Sequence, residues 1–265
     1  MTVEEKIAKV RDLRPIDDVF FEVLAEDKEV CEEILRTILE DDGLVVNEAV
    51  VQGSKKNIYG RSVRLDALCT LGDGSKCNIE VQRADNDDHL RRARFNAASI
   101  TVKDSDPGER FENILDLYIV YISEFDFLKG GLTIYHVDKT IRENGQVVDD
   151  GLHEIFVNTS IDDGSDIADL MSCFEKKEVN NKKFPKFSQR VADLKTTEGG
   201  ATAVCDVMKH YEDIARNEGA NAMLYSLVSD GSIDVTTAAA KAGVDESVFI
   251  SLMEKDGFAL PVIVS

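Results

Sequence analysis

The chain has 265 residues, 43% of them apolar, which is ordinary for a soluble globular protein. This length suits one large domain, or one domain with a smaller helical one beside it. No apolar run approaches the length that spans a bilayer, and the polar N-terminus predicts no secretory signal. The five cysteines form no C-x-x-C pair, which argues against a zinc cluster or a disulfide framework and predicts a reduced, cytoplasmic protein.

The net charge of −20 argues against a protein that binds nucleic acid over its whole surface, because an acidic chain is repelled by phosphate. A local basic cluster can still outweigh the total charge at one site.

Residues 15–40 are predicted to be helical, because their apolar residues recur at the spacing of one helix face. The first stripe comprises Ile16, Val19, Phe20, Val23 and Leu24. A second stripe, from Val30 to Leu39, favours another helix after Glu26 and Asp27.

Residues 44–82 change period, and an extended region is predicted to open at residues 44–46. Residues 63–71 and 77–82 show the alternation of apolar and polar side chains that is typical of strands with one buried face. Residues 72–74, Gly-Asp-Gly, divide the stretch and predict a hairpin. The apolar faces coincide only if Cys69 pairs with Cys77, which requires a three-residue loop. Gly74 would then take the left-handed conformation of that loop.

In this register Asp66 lies opposite Glu80, and Arg64 lies opposite Gln82. Cross-strand neighbours have Cβ atoms about 4.5–5.5 Å apart, where like charges destabilise the sheet. A divalent cation between the carboxylates would compensate, and Mg²⁺ favours carboxylates together with water. The alternative is a pair of solvated carboxylates on an exposed strand face.

Further elements follow in order. Residues 87–102 show helical spacing, and residues 115–122 form an apolar run that predicts a buried central strand. Residues 132–137 and 154–157 are shorter strand candidates. Beyond residue 160 the strand signals stop, so the sequence predicts an α/β core over residues 1–160 and a helical C-terminal region over residues 161–265.

These elements resemble the PD-(D/E)XK nuclease superfamily, in particular its Rpn-like branch of recombination-promoting nucleases and transposases. The resemblance is carried by four motifs: Asp17-Asp-Val-Phe20, the hairpin with Asp66 and Glu80-Val-Gln82, the helix segment Arg91-Arg-Ala-Arg94-Phe, and the strand Leu115–Ile122 followed by Phe125-Asp126.

The resemblance implies a restriction-endonuclease-like core, in which helices flank a mixed central sheet. It implies a DNA endonuclease that hydrolyses phosphodiester bonds and is associated with recombination or mobile elements. Asp66, Glu80 and Gln82 would be catalytic, and Mg²⁺ or Mn²⁺ would bind Asp66, Glu80 and the backbone carbonyl of Val81. Gln82 stands where the superfamily usually has a lysine, although glutamine is common in this branch. A homodimer is left open.

Four arginines are predicted to contact DNA: Arg64, Arg83, Arg91 and Arg94. Arg92 belongs to the same basic cluster. The alternative is a solvated helix face on which arginines pair with Asp85, Asp87 and Asp88 at helical spacing.

Three further expectations concern residues outside this cluster. Glu22 could face the site from the first helix, but it is expected to be a solvated helix carboxylate. The four histidines are expected to be incidental, although His89 lies near the proposed site. Residues 235–255 are expected to form a packed pair of helices and not a DNA-reading motif.

The alternative function for the whole chain is a catalytically decayed relative that serves as an interaction module.

Overall fold

The computed structural model describes residues 1–51, 55–56, 62–63, 65–105, 107–108 and 110–261. Its helices are α1 (Val3–Val10), α2 (Asp18–Leu24), α3 (Lys28–Ile38), α4 (His89–Lys103), α5 (Asp166–Glu175), α6 (Pro185–Thr196), α7 (Glu198–Ser229), α8 (Val235–Ala242) and α9 (Glu246–Lys255). Its strands are β1 (Val46–Val51), β2 (Lys55–Lys56), β3 (Ser62–Val63), β4 (Ala67–Leu71), β5 (Lys76–Gln82), β6 (Leu117–Ser123), β7 (Ile134–Val137), β8 (Lys139–Thr140), β9 (Val147–Val148) and β10 (Leu152–Asn158).

Six strands form one mixed sheet in the order β1-β4-β5-β6-β10-β7. The pairs β1/β4, β4/β5 and β10/β7 are antiparallel, whereas β5/β6 and β6/β10 are parallel. The short strands pair separately, β2 with β3 and β8 with β9. Strand β6 is central and buried, as its apolar composition predicts.

The β4–β5 hairpin has the predicted register. Cys69 pairs with Cys77, and the backbone N–H of Leu71 donates to the carbonyl of Ser75 at 2.8 Å, which leaves a loop of three residues. Gly74 has a φ of +96°, a conformation that a residue without Cβ adopts readily. The structure therefore confirms both the register and the three-residue loop that the matching of apolar faces predicts.

The start of the first hairpin strand differs from the prediction. The alternation begins at residue 63, but the ladder with β5 begins at the pair Ala67–Ile79. Asp66 precedes the strand in a bend, so the expected ladder pair between Asp66 and Glu80 is wrong as a strand pairing. Arg64 lies outside the described residues.

Helices cover both faces of the sheet. On one face, Ala93, Ala97 and Ile100 of α4 pack against Ile119 and Tyr121 of β6. On the other side, α2 contacts β5 and α3 contacts β1. The periodicity of residues 15–40 is confirmed as two helices, and Glu26 and Asp27 lie between them.

The chain divides into two compact units, residues 1–205 and residues 206–265. Helices α5 and α6, which follow residue 160, lie in the first unit. The division at residue 160 stays a prediction about domains. No helix in the described ranges combines the length and the apolar character that crossing a membrane requires.

The second unit has its own small core. Ala238 and Ala239 of α8 pack with Phe249 and Met253 of α9 around Tyr225. This confirms the expectation of a packed helical pair over residues 235–255.

Candidate active site at the carboxyl end of strand β5

Glu80 lies near the carboxyl end of β5, a strand that is buried on both faces. The residue is 4% exposed and pairs in register with Tyr121 of β6. Strands β5, β6 and β10 run parallel, so their carboxyl ends share one edge of the sheet. Ligands in α/β sheets bind preferentially outside such carboxyl ends.

Asp66 reaches the same place from the bend before β4. Its Oδ2 accepts a hydrogen bond from the backbone N–H of Val81 at 2.9 Å. The backbone of Asp66 also approaches the carboxyl group of Glu80 closely enough to lower its pKa. The bend thus brings the two acids together without a regular strand pair.

The environment of Glu80 disfavours its charge. Burial and then the neighbouring charge of Asp66 raise the pKa of Glu80 well above its ordinary value. A hydrogen bond from Asn78 Nδ2 to Glu80 Oε1, at 2.9 Å, and the positive charge of Arg92 oppose this rise. Burial and Asp66 therefore both favour the protonated form of Glu80, and a cation nearby would favour the charged form.

Two buried amides nearby lack a complete set of partners within the described residues. Asn78, fully buried on the same face of β5, has no hydrogen bond at Oδ1, and Asn96, buried on α4, has none at Nδ2. Buried polar atoms of this kind indicate an additional polar occupant, such as water or an ion.

The backbone carbonyl of Val81 faces Asp66. Successive residues of a strand point their backbone groups to opposite neighbours. The carbonyl of Gln82 accepts from the N–H of Glu124, beyond the end of β6, and the N–H of Val81 points the other way to Asp66. The carbonyl of Val81 consequently lies on the side where the two carboxyl groups meet.

Gln82 is held at both ends of its amide. Its Nε2 donates to the carbonyl of Ala84 at 2.7 Å, and its Oε1 accepts from Arg92 Nη1 at 3.0 Å. Because Gln82 is 8% exposed, these contacts fix the amide in a buried position.

His89, the first residue of α4, is buried among aromatic rings. Its Nδ1 lies 3.0 Å from the hydroxyl of Tyr121, and its Nε2 lies 3.1 Å from Asp85 Oδ1. The rings of Phe125 and Phe127 lie 5.2 and 4.8 Å from its own. These contacts fasten the start of α4 to β6, and a chemical role for this histidine stays untested.

Arg83 belongs to a network of ion pairs. Its guanidinium lies 2.6 Å from Asp17 and 3.3 Å from Glu124, and Arg14 lies 2.6 Å from the same Glu124. Asp17 is also the N-cap residue of α2. The network connects the Asp17 motif to the ends of β5 and β6. Arg83 therefore forms ion pairs within the protein, and its contact with a DNA phosphate stays a prediction.

Arg91 and Arg94 differ from Arg83. Both are exposed on α4 and form no ion pair with any residue in the described part of the chain. Among the described residues around α4, pairing at helical spacing is limited to Arg92 with Asp88 at 3.9 Å and His89 with Asp85 at 3.1 Å. The alternative of a paired helix face therefore does not hold at Arg91 and Arg94.

Glu22 corrects another expectation. The residue is 9% exposed on α2, which packs against β5, so it is not a solvated helix carboxylate.

Within the described residues, no group of three or more histidine, cysteine, aspartate or glutamate side chains is arranged to hold a metal ion. A cation at Asp66 and Glu80 would need backbone oxygen and water to complete its ligands.

The mixed sheet with flanking helices, and two acids at the end of one central strand, define a restriction-endonuclease-like α/β fold. The chain belongs to the PD-(D/E)XK nuclease transposase family, whose model matches residues 16–160, more than half of the chain. This confirms the resemblance and the fold class that the sequence predicts. No match was found among curated proteins or among solved structures.

Proposed function

We propose that this protein is a metal-dependent endonuclease that hydrolyses phosphodiester bonds in DNA and acts in the movement or recombination of mobile elements. The observation that carries the proposal is the proximity of Asp66 and Glu80 in a chain of the PD-(D/E)XK nuclease transposase family. Asp66 accepts a hydrogen bond from the backbone of Val81, the residue that follows Glu80. Nuclease chemistry and DNA as partner follow from the family, and the metal and the roles of single residues are proposed here.

The donor set suits Mg²⁺ or Mn²⁺. Asp66, Glu80 and the carbonyl of Val81 would supply oxygen ligands, and Mg²⁺ in proteins keeps several waters besides one or two carboxylates. The unpartnered oxygen of buried Asn78 also favours a polar occupant beside Glu80. When bound, such a cation activates water and offsets negative charge on a phosphodiester.

Gln82 is proposed to orient the attacking water. The Oε1 atom of a glutamine has two lone pairs and its Nε2 has two hydrogens, whereas the contacts to Arg92 and Ala84 use one of each. The remaining capacity of this fixed amide is available to water or to phosphate.

Arg91 and Arg94 are proposed to guide the DNA backbone. Both are exposed on α4, the helix that contributes Arg92 to the site. Contacts of this kind position a duplex without reading its sequence. Arg83 and Arg64 remain candidates for the same role.

The substitution Asp66→Ala tests the proposal. With Mg²⁺ and a supercoiled plasmid as substrate, we expect the cleavage rate to fall by a factor of about 10² or more, because a direct ligand is lost. Asp138→Ala, at an exposed carboxylate between β7 and β8, is the matched control and should cleave like the wild type. Undiminished cleavage by Asp66→Ala would remove the assignment.

A decayed nuclease that serves as an interaction module is the second candidate. It is favoured by the net charge of −20 and by the neutral Gln82 at the position of the superfamily lysine. Calorimetric titration with Mg²⁺ and Mn²⁺ separates the two functions. Saturable binding that Glu80→Ala abolishes supports the nuclease, whereas no binding by the wild type supports the module.

A further inference from the structure

The hydrogen bond from Arg92 to Gln82 places a positive charge beside a neutral residue. Arg92 Nη1 lies 3.0 Å from Gln82 Oε1 and so joins α4 to the carboxyl end of β5. A glutamine cannot carry the charge that the superfamily's usual lysine brings to this position. The contact therefore brings a guanidinium, carried by a different element, to the amide of Gln82.

The guanidinium is both anchored and accessible. Within the described part of the chain, the guanidinium bonds to Gln82 and forms a longer ion pair with Asp88 at 3.9 Å. A guanidinium has five N–H donors in a fixed plane, and the Arg92 side chain is 39% exposed. Donors are left over for a ligand that approaches from solvent.

The charge of Arg92 also reaches the acidic pair. Arg92 contacts Gln82, which lies two residues after Glu80 on β5 and therefore on the same face of the strand, so the guanidinium lies beside that carboxyl group. A phosphate held near Asp66 and Glu80 would lie within reach of the same charge.

The backbone that carries Arg92 is fixed. His89 is buried one turn earlier and is bonded to Tyr121, and the next residue, Ala93, packs in the core beneath α4.

We propose that Arg92 supplies the positive charge of this nuclease site, and that its guanidinium, oriented by Gln82, binds a non-bridging oxygen of the scissile phosphate. This rests on the proposed nuclease function. Hydrolysis forms one bond from water oxygen to phosphorus and breaks one phosphorus–oxygen ester bond. The water releases a proton to solvent, and the departing alkoxide takes one up, so no oxidant or reductant takes part. Arg92 stabilises the negative charge that grows on the phosphate oxygens during this exchange.

Relocation of the charge tests this role. The variants are Arg92→Ala, Arg92→Lys and the double variant Arg92→Ala with Gln82→Lys, which returns a cation to position 82. Arg110→Ala is the matched control, because Arg110 is an exposed arginine paired with Glu112. Each protein is assayed for plasmid cleavage with Mg²⁺, for Mn²⁺ binding by calorimetry and for melting temperature.

We expect Arg92→Ala to lose a factor of about 10²–10³ in cleavage rate while it still binds Mn²⁺, because the arginine is not a metal ligand. The double variant and Arg92→Lys should both cleave at least about tenfold faster than Arg92→Ala, since each has a cation at the site. Arg110→Ala should match the wild type in all three measurements.

Three results would overturn the inference. Wild-type cleavage by Arg92→Ala would show that its charge is not needed, and the nuclease proposal would stand. If neither Arg92→Lys nor the double variant cleaves DNA faster than Arg92→Ala, the guanidinium does not act through its charge. A wild-type protein that neither cleaves DNA nor binds Mn²⁺ would remove the nuclease proposal, and the role of Arg92 with it.

Discussion

The carboxylate of Asp66 takes the hydrogen bond from the N–H of Val81, at the point where the β4–β5 ladder ends. A side chain from the segment before β4 thus takes the place of a backbone carbonyl as the acceptor for this N–H of β5. The exchange turns Asp66 toward Glu80 and leaves two acids at one end of the hairpin. Such a pair is stable only if one acid stays protonated or a cation lies between them.

The raised pKa of Glu80 predicts how stability depends on pH in the metal-free protein. An unfolded glutamate titrates at about 4.3, and the native group titrates above this value because of burial and Asp66. Between the two values the native state binds more protons, so the free energy of unfolding falls as the pH rises. The stabilisation is complete below the unfolded pKa and is lost as the pH passes the native one.

Glu80→Gln removes this dependence. In EDTA at about pH 8, we expect the variant to be more stable than the wild type by on the order of 1 kcal/mol or more, and the difference should vanish near pH 4. Urea unfolding at both pH values measures it, with exposed Glu143→Gln as the control. Equal stabilities at pH 8 would show that the native carboxyl group is not disfavoured.

The ion pair between Asp17 and Arg83 is expected to couple the start of α2 to the end of β5. A double-mutant cycle with Asp17→Asn and Arg83→Gln should give a coupling energy of about 0.5–1 kcal/mol, since the Arg83 side chain is 49% exposed and solvent screens the pair. Asparagine keeps an acceptor for the backbone N–H of Arg14, so the cycle isolates the charge. The coupling should decrease in about 1 M salt. A coupling energy of zero at low salt would show that this ion pair does not stabilise the fold.

His89→Ala is expected to loosen the start of α4. The substitution opens a cavity among the aromatic rings and leaves the hydroxyl of buried Tyr121 without its partner, which together cost about 2–4 kcal/mol in the free energy of unfolding. Leu90→Ala, at the neighbouring side chain that is 49% exposed, should change stability by about 0.5 kcal/mol or less. Chemical denaturation compares them, and similar values for the two variants would contradict a role for His89 as an anchor.

Arg91→Ala and Arg94→Ala are expected to weaken DNA binding without changing its sequence preference. Each should reduce the slope of log affinity against log salt concentration by about 1, as for the loss of one phosphate contact. Fluorescence anisotropy with a short duplex at several salt concentrations measures this slope. Variants with the wild-type slope would place the DNA on a different surface.

The sequence predicts much of the fold, because the patterns that specify it are local. Alternation of apolar residues and the loop at Gly74 determine the hairpin register, and the apolar run at residues 115–122 predicts the central strand. The roles of Asp66 and Glu80 stay predictions, although the structure brings the two residues together.

Other features depend on partners that no local pattern contains. The strand that was expected from residue 63 joins the β5 ladder only at Ala67, because Asp66 takes over a backbone hydrogen bond. Glu22 is buried because of the way α2 packs, and Arg92 meets Gln82 only through the docking of α4. The one sequence signal for Arg92 is the Arg-rich segment, which does not tell one arginine from another.

Diffraction from a crystal of the full chain soaked in Mn²⁺, with data collected at the manganese absorption edge, tests most directly whether Asp66 and Glu80 hold a cation. We predict an anomalous peak between the two carboxyl groups, with the carbonyl of Val81 among the ligands and water completing the shell. A map without a peak at this position, with the two side chains turned away from each other, would contradict the account.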